Sequence, residues 1–191
     1  RDIFVFDFGL GQAVTKFVAR YIAENRQDKA NQLIGITYKL YIIADFIVLV
    51  LLSILFFFLS DIYSGLTPDE LDRFKVVYAI AASFSVLSFP FIPLNGILSA
   101  YELFIQLKSC DIIHKLIIVL LMAMCLLMGY GLYALVIVNA IAGIVIIILK
   151  LYFLKRKTPL QIEWKYWDKL MLKGILFFSL WITIAALAQR L

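Results

Sequence analysis

The chain has one histidine and two cysteines, and that scarcity removes several chemistries at once. His114 has no partner at metal-ligand spacing, so a His/Cys metal centre has no ligand set. Cys110 and Cys125 lie fifteen positions apart in one predicted helix, roughly 22 Å along its axis. A disulfide needs Cα atoms within about 7 Å, so these two cannot bridge. Proline is confined to four positions, which leaves long stretches free to be helical. Charge is scarce as well, at 16% of residues. HExxH, P-loop and GxSxG patterns are absent, as is any convergent group of His, Cys and carboxylates, so no enzyme site is visible. A charged n-region before a short apolar core with a small-residue cleavage site is also lacking, so no signal peptide is expected.

What is present is apolar surface: 64% of residues are hydrophobic, against about one half in soluble domains. Six apolar segments, about 3–22, 40–60, 74–101, 112–128, 130–149 and 174 to the end, predict an all-α polytopic transmembrane bundle of six spans. Residues 116–149 contain no charge. As one helix they would measure about 51 Å, too long for a hydrocarbon core of roughly 30 Å. Gly129-Tyr130-Gly131 is therefore expected to be a tight turn between two helices.

The basic residues alternate by loop. Arg20, Arg26, Lys29 and Lys39, then Lys108 and Lys115, then Lys150, Lys155, Arg156, Lys157, Lys165, Lys169 and Lys173 make thirteen on one side; Arg73 and Lys75 make two on the other. The positive-inside rule assigns the first set to the cytoplasm. Topology and anionic lipid account for the net charge of +5 without nucleic acid as a partner. Thr67-Pro68-Asp69-Glu70 and Thr158-Pro159-Leu160-Gln161 both match a helix start with a capping partner. After Thr158, the helical spacing of Leu160, Trp164, Trp167 and Met171 fits a short amphipathic interfacial helix, or an extended start of the next span. The expected organisation is thus 1–149 as five spans, 150–173 as a basic cytoplasmic linker with that helix, and 174–191 as the start of a further span.

Charges inside the spans are the candidate functional residues. On a helix, Gly9, Gln12, Ala13, Lys16 and Arg20 share one side of the first span. A small, polar and cationic stripe on a lipid-crossing helix generally faces something other than lipid. Arg20 reads first as a cytoplasmic anchor. Lys16 reads equally as an anchor and as a cationic wall for a phosphate-bearing substrate. Asp45, at matching depth on the next helix, is expected near Lys16 or Arg20, as a charge partner or as a carrier of a coupling H+ or Na+. Asp7 lies near the other end, a weaker candidate partner. Pro90 and Pro93, with Gly96, interrupt the third span as a hinge or a fixed kink. Asn139 with Gly143 suggests close helix packing and an interhelical hydrogen bond.

With these residues in view, the chain resembles the polysaccharide flippases of the multidrug/oligosaccharidyl-lipid/polysaccharide (MOP) superfamily. The matching stretches are Asp7-Phe8-Gly9-Leu10-Gly11-Gln12-Ala13 with Phe17-Val18-Ala19-Arg20-Tyr21, Pro93-Leu94-Asn95-Gly96-Ile97-Leu98, Gly129-Tyr130-Gly131-Leu132 with Ala134-Leu135, and Phe178-Ser179-Leu180-Trp181. The resemblance implies two pseudo-symmetric lobes of roughly six or seven spans each. This chain would then run from the second helix to early in the seventh. It implies alternating access that carries a polyprenyl-pyrophosphate-linked oligosaccharide across a prokaryotic inner membrane, alongside a polysaccharide polymerase and other assembly proteins. No cofactor is implied beyond H+ or Na+ coupling. A cationic central cavity would use Lys16, Arg20 and Arg190, with Gln12 beside them. Asp45 matches no family motif. Two alternatives stand: a cation-coupled multidrug exporter of the same superfamily, and a membrane glycan ligase or polymerase. The visible loops are too short for the large outer loop of the second.

Overall fold

A computed structural model describes residues 10–63, 65 and 67–188. The described residues form helices and connecting turns, with no strand among them. We number the helices α1 (Leu10–Ala23), α2 (Gln27–Ile62), α3 (Pro68–Ser88), α4 (Pro93–Ala100), α5 (Phe104–Leu127), α6 (Gly131–Lys157) and α7 (Lys169–Ala188); a 3₁₀ turn, Phe89–Phe91, joins α3 to α4. Four stretches are long and apolar enough to cross a membrane: Gln27–Ile62, Pro68–Ala100, Phe104–Leu127 and Tyr133–Lys157. The chain is a helical membrane protein. Several helices reach well past their apolar segments. α2 starts at Gln27 and α6 runs to Lys157, because the flanking residues include strong helix formers and no proline.

The chain divides into two compact units. The first comprises residues 1–41, 91–108 and 150–191, and the second 42–90 and 109–149.

In the first unit, α1 packs against α4 and α7. Ala13, Val14 and Val18 of α1 are fully buried with Leu33, Ile34, Leu94, Ile97, Leu98 and Ile175. The α1–α4 contact is close because it is built from small residues. A Cβ on Gly96 would stand 2.7 Å from the Gly11 carbonyl oxygen and 2.9 Å from Thr15 Oγ1. Thr15 Oγ1 lies 2.8 Å from the Gly11 carbonyl oxygen and 3.2 Å from that of Gly96, so its single proton is shared between two backbone acceptors. Pro93 occupies the first position of α4, where its missing N–H costs little.

In the second unit, Ala134, Val138, Ala142 and Ile146 are buried at a spacing of four, so one face of α6 packs inward. Gly143 admits the Phe84 ring, whose Cζ would lie 2.1 Å from an added Cβ. The expected close packing is therefore present, but Asn139 Nδ2 donates to the Leu135 carbonyl of its own helix at 2.6 Å. A neighbour one turn back outcompetes an interhelical partner. Phe57, Val119, Leu120 and Leu127 remain largely exposed, as a surface in contact with lipid requires.

Two expected local structures meet different fates. At Thr67 the helix start forms: the Glu70 carboxylate accepts from the Thr67 N–H at 2.9 Å and from its hydroxyl at 2.8 Å. At Thr158 it does not, and residues 158–168 contain no helix. The Thr158 hydroxyl instead donates to the Leu154 carbonyl at 2.7 Å, closing the end of α6. The linker then lies along the N-terminal part of α2. Gln161 N–H donates to Asn31 Oδ1 at 3.2 Å, Lys39 Nζ donates to the Tyr166 carbonyl at 3.0 Å, and the Trp164 ring rests 6.1 Å from that of Tyr38. Gly35 makes this possible, since a Cβ there would sit 2.3 Å from the Glu163 carbonyl oxygen. Backbone groups that a helix would have satisfied internally are thus partly met by α2. The turn at Gly129-Tyr130-Gly131 is as expected. Its glycines have φ of +80° and +51°, and Tyr130 N–H donates to the Cys125 carbonyl at 3.1 Å, in the manner of a glycine-terminated helix end.

Candidate functional site

α1 presents Gln12, Lys16 and Arg20 on an exposed line at a spacing of four, while Ala13 is buried. The open stripe is therefore narrower than the helical projection suggests, because the Ala13 side of that arc is taken up by packing. Gly9 and Asp7, expected to extend the stripe and to partner it, lie outside the described residues, as does Arg190.

The two cations of the stripe are in different electrostatic states. Arg20 Nε is 2.7 Å from Glu24 Oε1, one turn further on, and Glu24 also lies 3.8 Å from Arg26 Nη1. An exposed i,i+4 pair of this kind contributes little to stability, but it occupies the guanidinium locally. Lys16 makes no ion pair within 4.0 Å among the described residues. Its Nζ sits 4.0 Å from the centroid of the Phe178 ring on α7. Phe178 is itself held edge-to-face against Phe17, with centroids 5.6 Å apart. A ring face attracts an ammonium by about 0.5–2 kcal/mol without neutralising it. Lys16 is thus aimed by a ring and not by an acid, whereas Arg20 is compensated.

Asp45, expected close to Lys16 or Arg20, belongs to the second unit, whereas both cations belong to the first. Glu24 already serves Arg20, and Phe178 serves Lys16. Asp45, on the second unit's part of α2, has its Oδ1 buried with no hydrogen-bond partner among the described residues. A carboxylate oxygen without a partner in an apolar helix is costly.

Of the hinge candidates, Pro90 lies in the 3₁₀ turn Phe89–Phe91 and Pro93 at the start of α4. Gly96 serves as the close-approach point against Gly11 and Thr15. One polar contact was not visible in the sequence: Lys150 Nζ donates to Asn95 Oδ1 at 2.8 Å. Asn95 stands in a stretch singled out by the resemblance, but nothing in its spacing names Lys150. Phe178 likewise lies in such a stretch, and only the packing of α7 on α1 brings it to Lys16.

Outside the spans, the Asp168 carboxyl is held below the usual carboxylate range, chiefly by the Leu170 N–H, which donates to Oδ1 at 2.8 Å. Asp168 is therefore the N-cap of α7. No group of three or more His, Cys, Asp or Glu residues suited to a metal ion occurs among the described residues.

A family model described as polysaccharide biosynthesis protein matches residues 3–191. Comparison with curated proteins and with solved structures gives no match.

Proposed function

The chain belongs to the polysaccharide biosynthesis protein family, and from that premise we propose that it moves a polyprenyl-pyrophosphate-linked oligosaccharide across a prokaryotic inner membrane by alternating access. The observation that carries this reading is the exposed Gln12–Lys16–Arg20 line of α1, with Lys16 aimed by Phe178 and in no ion pair within 4.0 Å among the described residues. A pyrophosphate offers an ammonium much more than a ring face does, because charge-assisted hydrogen bonds add to the Coulomb attraction. Lys16 would exchange Phe178 for the headgroup, Gln12 would donate to a further oxygen, and the polyprenyl tail would remain in lipid. Arg20 would join only by leaving Glu24. The protein acts in this reading as a carrier, with no bond made or broken.

Rocking of the helices would change access, with Pro90 and Pro93 at the bend between α3 and α4. Asp45 is the proposed site for the coupling proton or cation, supported by its unpartnered Oδ1. The same carboxylate is the one feature that favours the second reading, a cation-coupled multidrug exporter. A polysaccharide polymerase and other assembly proteins are the proposed partners. The test is surface glycan assembly in cells whose only copy carries Lys16→Glu, with Lys16→Arg as control. Loss with the first and retention with the second, at equal expression, supports a cationic substrate wall. Normal assembly with Lys16→Glu removes it.

A further inference from the structure

A second polar feature lies in the first unit, where α1, the N-terminal part of α2 and the start of α7 border a cleft of about 300 Å³. Its apolar walls include Phe17, Leu33 and Ile175, and its two charged side chains are Lys29 and Asp168. The charges have opposite sign, yet no ion pair within 4.0 Å joins them among the described residues. Lys29 nevertheless lies close enough to help hold the Asp168 carboxyl in its anionic form, behind the stronger effects of the Leu170 and Met171 N–H groups and the Tyr166 hydroxyl. Gly174 forms part of the lining, and an added Cβ there would meet nothing within 4 Å, so the space is open rather than closed by close packing.

Such a cleft selects by charge pattern. A simple anion suited to Lys29 would meet Asp168, and a simple cation suited to Asp168 would meet Lys29. A ligand carrying both signs a few ångströms apart satisfies each. The apolar walls add a requirement for a hydrocarbon portion, in keeping with pockets that combine mostly apolar lining with a few orienting polar groups. We propose that this cleft binds a zwitterionic phospholipid of the phosphoethanolamine class, with Lys29 on the phosphate, Asp168 on the ammonium, and the start of an acyl chain against Phe17, Leu33 and Ile175. Asp168 retains lone-pair capacity for an ammonium beyond that used by Leu170, Met171 and Tyr166. The primary ammonium offers three N–H donors to the carboxylate, and Lys29 serves as a point charge for the phosphate. The assignment does not depend on the transport reading, since it concerns a resident lipid and not the cargo.

The experiment is native mass spectrometry of the full chain released from nanodiscs that contain equal amounts of phosphatidylethanolamine and phosphatidylglycerol. The expected result is retained phosphatidylethanolamine at roughly fivefold or more over phosphatidylglycerol. Asp168→Asn, which still caps α7, should bring that ratio to one or below, and Lys29→Gln should lower it. Gly174→Leu should reduce all retained lipid by filling the space. Equal retention of both lipids by the unaltered chain would overturn the proposal, as would a preference for phosphatidylglycerol. An unchanged ratio in both Asp168→Asn and Lys29→Gln would overturn it too.

Discussion

The ammonium of Lys16 stands 4.0 Å over the ring of Phe178, a contact that joins α1 to α7 without consuming the charge. Removing the ring while keeping the cation is therefore informative. Phe178→Leu is expected to preserve folding and to slow glycan export by a few-fold, in line with a cation–π term of about 0.5–2 kcal/mol. Lys16→Glu should abolish export. Complementation of surface glycan at matched expression measures both.

Arg20 gives the contrasting expectation. Its partner is Glu24, four residues on, and exposed pairs of this type contribute little. Arg20→Ala should leave export within about twofold of normal, and Glu24→Ala likewise. A loss with Arg20→Ala as deep as that of Lys16→Glu would move Arg20 into the substrate path.

Gly96 permits a close backbone approach between α1 and α4. Gly96→Ala inserts a methyl 2.7 Å from the Gly11 carbonyl oxygen, and overpacking of this kind costs about 1–3 kcal/mol. Thermal unfolding in detergent should show a lower midpoint. Gly129→Ala makes no such contact, but it places a side chain at a φ of +80°, so a smaller loss of about 1 kcal/mol is expected there.

Asp168 predicts the acid side of the stability profile. Its folded pKa is depressed from 3.8, first by the Leu170 N–H. The stabilisation is thus fully present above the ordinary value and is lost as pH falls through the lower, folded value. Protection of the amides in the first turn of α7, measured against their intrinsic exchange rates, should fall below about pH 4. Asp168→Asn should remove that pH dependence.

Gly35 carries the last prediction. Gly35→Val would drive a branched side chain into the Glu163 backbone and lift the 158–168 strap from α2. Lys165 on the strap, and Lys155, Arg156 and Lys157 at the adjoining end of α6, are trypsin sites. Limited proteolysis should then cut this segment faster than in the unaltered chain, while helices within the membrane stay protected.

The helices, the Gly129–Gly131 turn and the Thr67 start were legible from the sequence, because apolar runs, glycine φ and local capping are determined within a few residues. The strap was not. Leu160, Trp164, Trp167 and Met171 recur at helical spacing, yet residues 158–168 contain no helix; the Trp164 ring lies by Tyr38 and the Trp167 ring under Lys39 of α2, and the glycine that admits the segment lies more than a hundred residues earlier. Of the contacts to the two cations, Glu24 lies four residues from Arg20 and needs no fold to bring it near. Phe178 reaches Lys16 only through tertiary packing. Arg190, expected in the cationic cavity, and Asp7, expected as a charge partner, fall outside the described residues.

The three-residue turn between α5 and α6 bears on how the chain is made. From Leu116 to Leu149 there is no charged side chain, and Lys115 and Lys150 flank the pair. Two helices joined this tightly keep both flanking lysines on one side of the bilayer. The pair can therefore leave the insertion machinery as a single hairpin whose leading tip, two glycines and a tyrosine, carries no ion through the hydrocarbon.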